Sequence, residues 1–165
     1  MSFLRFVKML SLALWIGSFF FFALVVAPAL FSILPSRQLA GMVVSRCLAN
    51  LHWIGIVCGL IFLLGSVLLA LLQGGHGPFQ LRDLLLVAMM AITLTLHFGI
   101  ERHMNAMRTE MGVIDQVPHD DPRRIEFNRL HIWSTRMEGS VFVLGLVLLY
   151  LEVRAQAAAN QRRYY

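Results

Sequence analysis

Charge is scarce in this chain. Of its 165 residues, 14% are charged, against about 25% in an ordinary soluble protein. Hydrophobic residues make up 58%, and the mean hydropathy is +0.71. That balance excludes an ordinary soluble domain. Lysine is nearly missing: Lys8 stands alone beside thirteen arginines. The formal net charge is +5, but the basic residues are scattered between apolar stretches. They form no continuous stripe, so nucleic acid is not the expected partner. They read instead as interfacial anchors and loop charges beside anionic lipid headgroups.

Cysteine is equally sparse. Cys47 and Cys58 have neither CxxC spacing nor a Cys-rich context, which argues against a disulfide framework. Cys58 lies in an apolar run and reads as a small buried apolar residue. Catalytic signatures are missing too. There is no GxSxG, no Cys–His motif and no phosphate-cradling loop, so nothing points to an enzyme acting on a soluble substrate. No internal repeat is visible, and no low-complexity tract beyond the Arg/Ala-rich tail.

What the chain does have is long apolar runs. A bilayer core needs about 20 mostly apolar residues as a helix, and four stretches meet that need, at about 9–31, 51–72, 84–103 and 130–153. The first is preceded by Arg5 and Lys8 and resembles a signal peptide. Its run is longer than the usual core of about 7–15 residues, and Pro28 sits where cleavage would fall, so a retained span is expected. The second ends at the turn "QGGHGP". The fourth follows "HDDPRR": Asp121 suits an N-cap and Pro122 the first helical position. The final helix is therefore expected to start near 122, outside the hydrocarbon.

Residues 32–50 carry apolar residues at helical spacing after Pro35 and read as a short amphipathic helix on the membrane surface. Residues 101–121 read as a polar helical extension with Met104, Met107 and Met111 on one face. The expected fold is all-α: one integral membrane domain over 1–165, an up-down-up-down four-helix bundle with that short amphipathic helix between spans 1 and 2. Gly55 and Gly59 form a GxxxG pair that lets helices approach closely; their face is also where a homo-oligomer would be sought. With Arg136 left out, arginine and lysine divide six against seven between the two sides, so the positive-inside rule leaves orientation open.

This topology brings polar groups to one end. The first span ends, the second begins, the third ends and the fourth begins on the same side, termed here the loop side. His52, His97 and His131 lie there, with His103 beyond. On the fourth helix His131, Ser134, Thr135 and Glu138 follow i, i+3, i+4, i+7, one face. Arg129 and Arg136 share another face. On the third, Thr93, His97 and Glu101 follow i, i+4, i+8. Two facing stripes, each with a histidine and a carboxylate, would make a polar pocket.

Ionisable groups at membrane depth usually face a bundle interior or a water-filled cavity. Glu138, about two turns below the interface, needs a partner. His52, His97, His131 and Glu138 are the candidate ligand set for a transition metal, with Ser134, Thr135, Thr93, Glu101 and Arg136 in support. The plainer reading is that these groups hydrogen-bond across helices and hold the bundle together. A substrate or ion path is a third. The methionine row could bind Cu(I), but reads first as the apolar face of a helix. His76 and His119 fall in turns and carry no assigned role.

Several phrases resemble a known family. "LALWIGSFFFFALVVAPALFSILPSRQLAG" (12–41), "LHWIGIVCG" (51–59) and "DPRRIEFNRLHIWS" (121–134) are similar to the transmembrane protein 205-like family, four-helix membrane domains of unknown function. Trp15-x-Gly17, Ala27-Pro28 and Leu130-His131 with Ser134 carry most of that likeness. More distantly the chain resembles the copper-resistance protein D-like group and a membrane protoporphyrinogen oxidase that holds haem b in a four-helix bundle. That oxidase has a functional histidine about two turns before its first-helix tryptophan; this chain has Lys8 there. The expectation is an integral membrane protein of a bacterial inner membrane that handles a metal ion or small cation at the loop-side layer. A haem-binding redox protein and a ligand-free structural subunit or scaffold are the alternatives.

Overall fold

The computed structural model describes residues 2–72 and 80–161; the turn "QGGHGP" and His76 lie outside the described residues. Among the described residues every regular element is helical. Four helices are long and apolar enough to cross a membrane: Ser2–Ile33, Arg37–Leu72, Leu81–Met111 and the last, Pro122–Gln161. The first packs on the second, the second on the third, the third on the fourth and the fourth on the first, closing a four-helix bundle. A 3-10 turn, Ile114–Gln116, lies between the third and fourth helices.

The second helix corrects the sequence expectation. Residues 37–50 are not a separate helix on the membrane surface; they continue into the second span as one helix of 36 residues. The region after Pro35 holds no second proline, and Gly41 alone does not stop a helix flanked by apolar residues at helical spacing. At 1.5 Å per residue the helix is about 54 Å long, well beyond a hydrocarbon core of about 30 Å. Its outer turns are tied to the third helix: the Ser45 hydroxyl lies 3.3 Å from Asn105 Oδ1, and Gln38 Nε2 donates to the Gly112 carbonyl at 3.0 Å.

Helix ends follow local chemistry. The third helix stops at Gly112, whose φ of +66° is a left-handed conformation open mainly to glycine. It starts at Gln80, which forms a reciprocal capping box with Asp83. Asp121 Oδ1 accepts from the Arg123 N–H at 2.8 Å and caps the fourth helix, with Pro122 at its first position as expected.

Exposure is inverted relative to a water-soluble protein. Leu14, Leu64, Val67 and Leu71 stand out from the bundle, while Lys8, His52, Glu101, Glu138 and Glu152 are buried. Contiguous apolar surface of this kind marks contact with lipid, and the chain is built as an integral membrane protein. An apolar core of Leu12, Trp15, Ile16, Phe62, Met89 and Leu148 separates two polar layers. Lys8, Arg82 and Glu152 meet on one side of it, and His52, Glu101 and Glu138 on the other.

Gly55 and Gly59 pack inside the chain. A Cβ on Gly55 would stand 2.4 Å from Trp15 Nε1, and one on Gly59 would stand 2.8 Å from Met90 Sδ. That face is filled by the first and third helices, so it is not a free surface for a second copy.

Candidate functional site

Three helices deliver the loop-side layer. His52 comes from the second helix, at its crossing with the first and third. His97 and Glu101 come from the third, where the helix widens into a π turn over Leu96–Ile100. A π turn inserts one residue into the helical register and rotates the side chains that follow it; such turns recur at functional sites. Glu138 comes from the fourth helix. His52, Glu101 and Glu138 are 2%, 8% and 7% exposed, so each ionisable head is out of water and must find its partners inside the protein.

The partners are one another. His52 Nδ1 lies 3.5 Å from Glu101 Oε2, and His52 Nε2 lies 3.4 Å from Glu138 Oε1. His97 Nδ1 lies 3.6 Å from the same Glu101 Oε2. These separations suit ion pairing and are longer than the roughly 2.7–3.2 Å of a well-formed N–H···O hydrogen bond. His52 Nδ1 and Nε2, His97 Nδ1, Glu101 Oε1 and Glu138 Oε1 are all buried without a hydrogen-bond partner. Their nearest polar neighbours are one another, so the layer is held by mutual pairing of its histidines and carboxylates. The two histidine rings meet edge to face with centroids 5.9 Å apart, and Trp53 closes over His97 at 5.2 Å.

One ligand atom each from His52, His97 and Glu101 falls within a common 4.8 Å. Donors sit about 2.0–2.2 Å from a zinc ion, so two of them are at most about 4.4 Å apart. Small side-chain rotations would bring these three atoms onto one ion. Glu138 then takes a separate part. Facing Nε2, it favours the tautomer that carries its proton there and leaves Nδ1 free to bind. A carboxylate behind a metal-binding histidine is the usual orienting partner.

The other sequence candidates lie around this group. Ser134 is buried and Thr135 is exposed, its hydroxyl donating to the His131 carbonyl at 3.0 Å. Thr93 is buried and donates to the Met89 carbonyl at 2.9 Å, so it is already satisfied within its own helix. His131 is exposed and does not join the His52 group; it lines a cavity beside that group. Arg136 is exposed, over the Trp133 ring at 5.7 Å. Met104 and Met107 are buried against Phe127 in a small apolar cluster at the foot of the fourth helix.

Sequence reasoning treated Glu101 as a supporting group, whereas it is the carboxylate that both histidines share. It also missed the second polar layer. Lys8 Nζ lies 3.3 Å from Glu152 Oε1 and 4.3 Å from the centre of the Phe62 ring, and Arg82 reaches the same Glu152 oxygen at 3.2 Å. The available signal was Glu152 itself, a carboxylate at the end of the run "LVLLYLE".

A family model described as a domain of unknown function, DUF4149, matches residues 10–112. The match covers more than half of the chain, which belongs to that family. It includes His52, His97 and Glu101 and stops short of Glu138. No curated protein and no solved structure matches the chain.

Proposed function

We propose that this member of the DUF4149 family holds a divalent transition-metal ion, or another small cation, at His52, His97 and Glu101 inside the loop-side half of the bundle. Glu138 orients His52 in this reading. One observation carries it: ligand atoms of His52, His97 and Glu101, on two helices, lie within 4.8 Å of one another, and a carboxylate stands behind the histidine that would bind. A bound cation would also face two carboxylates, Glu101 and Glu138, that are held out of water at membrane depth. Mixed imidazole and carboxylate donors suit zinc, copper or iron.

A compact ion fits this arrangement better than haem b. The two rings meet edge to face and share one carboxylate, which favours a small ion between them over a macrocycle. The up-down-up-down order of the spans, a bacterial inner membrane and kinship with the transmembrane protein 205-like family belong to the same reading. The first is supported by the two polar layers, which join residues far apart in the chain at opposite sides of one apolar core.

The test is metal titration of purified protein in phosphatidylcholine nanodiscs, with elemental analysis of the loaded sample. One metal ion per chain in wild type, with affinity at least tenfold weaker in Glu101→Gln, supports the site. Equal affinity in wild type and Glu101→Gln, or no saturable binding to folded wild type, would leave the layer as an interhelical fastening.

A further inference from the structure

Beside the His52 layer lies a cavity of about 510 Å³, within the range of small-molecule sites, about 300–1,000 Å³. Its walls are apolar and rich in phenylalanine. Phe19, Phe20, Phe22 and Phe31 of the first helix face Phe142 and Gly139 of the fourth. Phe20 and Phe142 stack at 5.9 Å in its wall. The first helix bends its register there through a π turn, Phe22–Val26, just before Pro28. That proline has no N–H to donate back. Phe20 and Leu24, at 51% and 60% exposed, and exposed Thr135 and Gly139 flank the cavity within the two spans, so its open side faces lipid.

Two charged side chains interrupt this apolar lining in a specific way. Glu101 and Glu138 both line the cavity, and both are more than nine-tenths buried. One oxygen of each already faces His52, Glu101 Oε2 at 3.5 Å and Glu138 Oε1 at 3.4 Å, which leaves the second oxygen of each carboxylate for a ligand. Arg108, at the outer end, is already engaged, 3.4 Å from Asn105 Oδ1 and over the Phe127 ring. The cavity thus offers an apolar chamber, a lateral opening to the membrane and two carboxylates, each with one oxygen not facing a histidine.

We propose that this cavity binds a membrane-dissolved lipophilic primary amine. Its ammonium group pairs with Glu101 and Glu138, and its hydrocarbon body lies among the phenylalanines. An ammonium head brings three donors and one positive charge, which the two carboxylates can both use. Burial of the apolar body in the cavity drives entry, and the ion pair sets selectivity for amines over alcohols and acids. The site shares Glu101 with the proposed metal centre but does not depend on it.

Gly139 makes a clean test. A Cβ there meets nothing within 4 Å, so Gly139→Phe fills the chamber without disturbing the packed core and leaves both carboxylates in place. The probe is a photoreactive aryl-azide derivative of decylamine, reacted with the protein in phosphatidylcholine nanodiscs, with labelled peptides mapped by mass spectrometry. Labelling is expected on residues 19–31 and 135–142. Decylamine competes, whereas decanol and decanoate at the same membrane concentration compete at least tenfold less well. Gly139→Phe and Glu138→Gln each reduce labelling at least tenfold. Equal competition by decanol, unchanged labelling in Gly139→Phe, or displacement of the probe by added phosphatidylethanolamine would each overturn the assignment. Metal titration of Gly139→Phe keeps the two sites apart, since that variant retains every donor of the metal centre.

Discussion

Lys8 Nζ lies 3.3 Å from Glu152 Oε1 across 144 positions of sequence. With Arg82 on the same oxygen and Phe62 beneath the ammonium, this contact joins all four helices at the side of the core opposite His52. Both members are almost out of solvent, so removing Glu152 strands Lys8. Breaking a buried pair by truncating one partner costs about 3–5 kcal/mol. Glu152→Ala, which leaves Lys8 and Arg82 without their acceptor, is expected to lower the unfolding midpoint strongly in denaturant or heat. Lys8→Met combined with Glu152→Leu, which removes charge and keeps volume, is expected to recover much of that loss. A double variant no better than Glu152→Ala alone would contradict the buried-pair account.

The close approach of the first two helices makes a second prediction. A methyl group at Gly55 would stand 2.4 Å from Trp15 Nε1, which requires the ring or the helix to move. Overpacking of a filled core costs about 1–3 kcal/mol. Gly55→Ala should therefore destabilise by that order, whereas Gly17→Ala, where a Cβ meets nothing within 4 Å, should be neutral or slightly stabilising through helix propensity. Thermal midpoints of the two variants side by side check this, and equal midpoints would count against the packing assignment.

Outside the membrane, the fourth helix depends on Asp121. Its carboxylate accepts from the Arg123 backbone N–H at 2.8 Å and from the Arg123 guanidinium at 2.8 and 3.1 Å. Those bonds hold its pKa below the ordinary value of 3.8. A depressed carboxylate contributes stability that is fully present above its unfolded pKa and is lost as pH falls through the folded value. Asp121→Ala should lower the midpoint at neutral pH, and Asp121→Asn, which can still cap, should lower it less. The gap between wild type and Asp121→Ala should close below pH 3.8. A gap that stays constant down to pH 2 would remove the carboxylate from the explanation.

The parts of the fold that were legible in the sequence rest on local rules. Four apolar runs gave four spans, and Asp121-Pro122 placed the start of the last helix. The outer half of the second helix was misread because amphipathic spacing at 37–50 is the same whether that stretch lies on a membrane or packs on a neighbour; only the Gln38 and Ser45 contacts to the third helix decide. The histidine–carboxylate layer was visible as facing stripes, but its centre was not. His131 shares a helix face with Glu138, yet the helices part around the phenylalanine-lined cavity, and the outer end of that face stays uncovered. Glu101 gained its central place through the π turn just before it, a change of register that ideal helical spacing does not carry. The Lys8–Glu152 pair was hidden by distance along the chain and by a lysine that reads as a membrane flank.

His97 and His131 offer the sharpest contrast for the site. Spacing alone ranks them alike, as one histidine per polar stripe. The structure sets His97 Nδ1 3.6 Å from Glu101 Oε2 and places His131 on the exposed wall of the cavity. If the metal rests on convergence, His97→Ala removes one of three donors and should weaken binding by at least tenfold, while His131→Ala should change affinity by less than about twofold. His97→Gln keeps a polar side chain of similar reach without an imidazole and should behave like the alanine variant. Titration of all three in nanodiscs, with helicity by circular dichroism as the check on folding, reads the difference directly. Loss of binding in His131→Ala with His97→Ala intact would move the ion out of the bundle interior to the fourth helix's exposed stripe. The His52 group would then be left as a buried fastening between three helices.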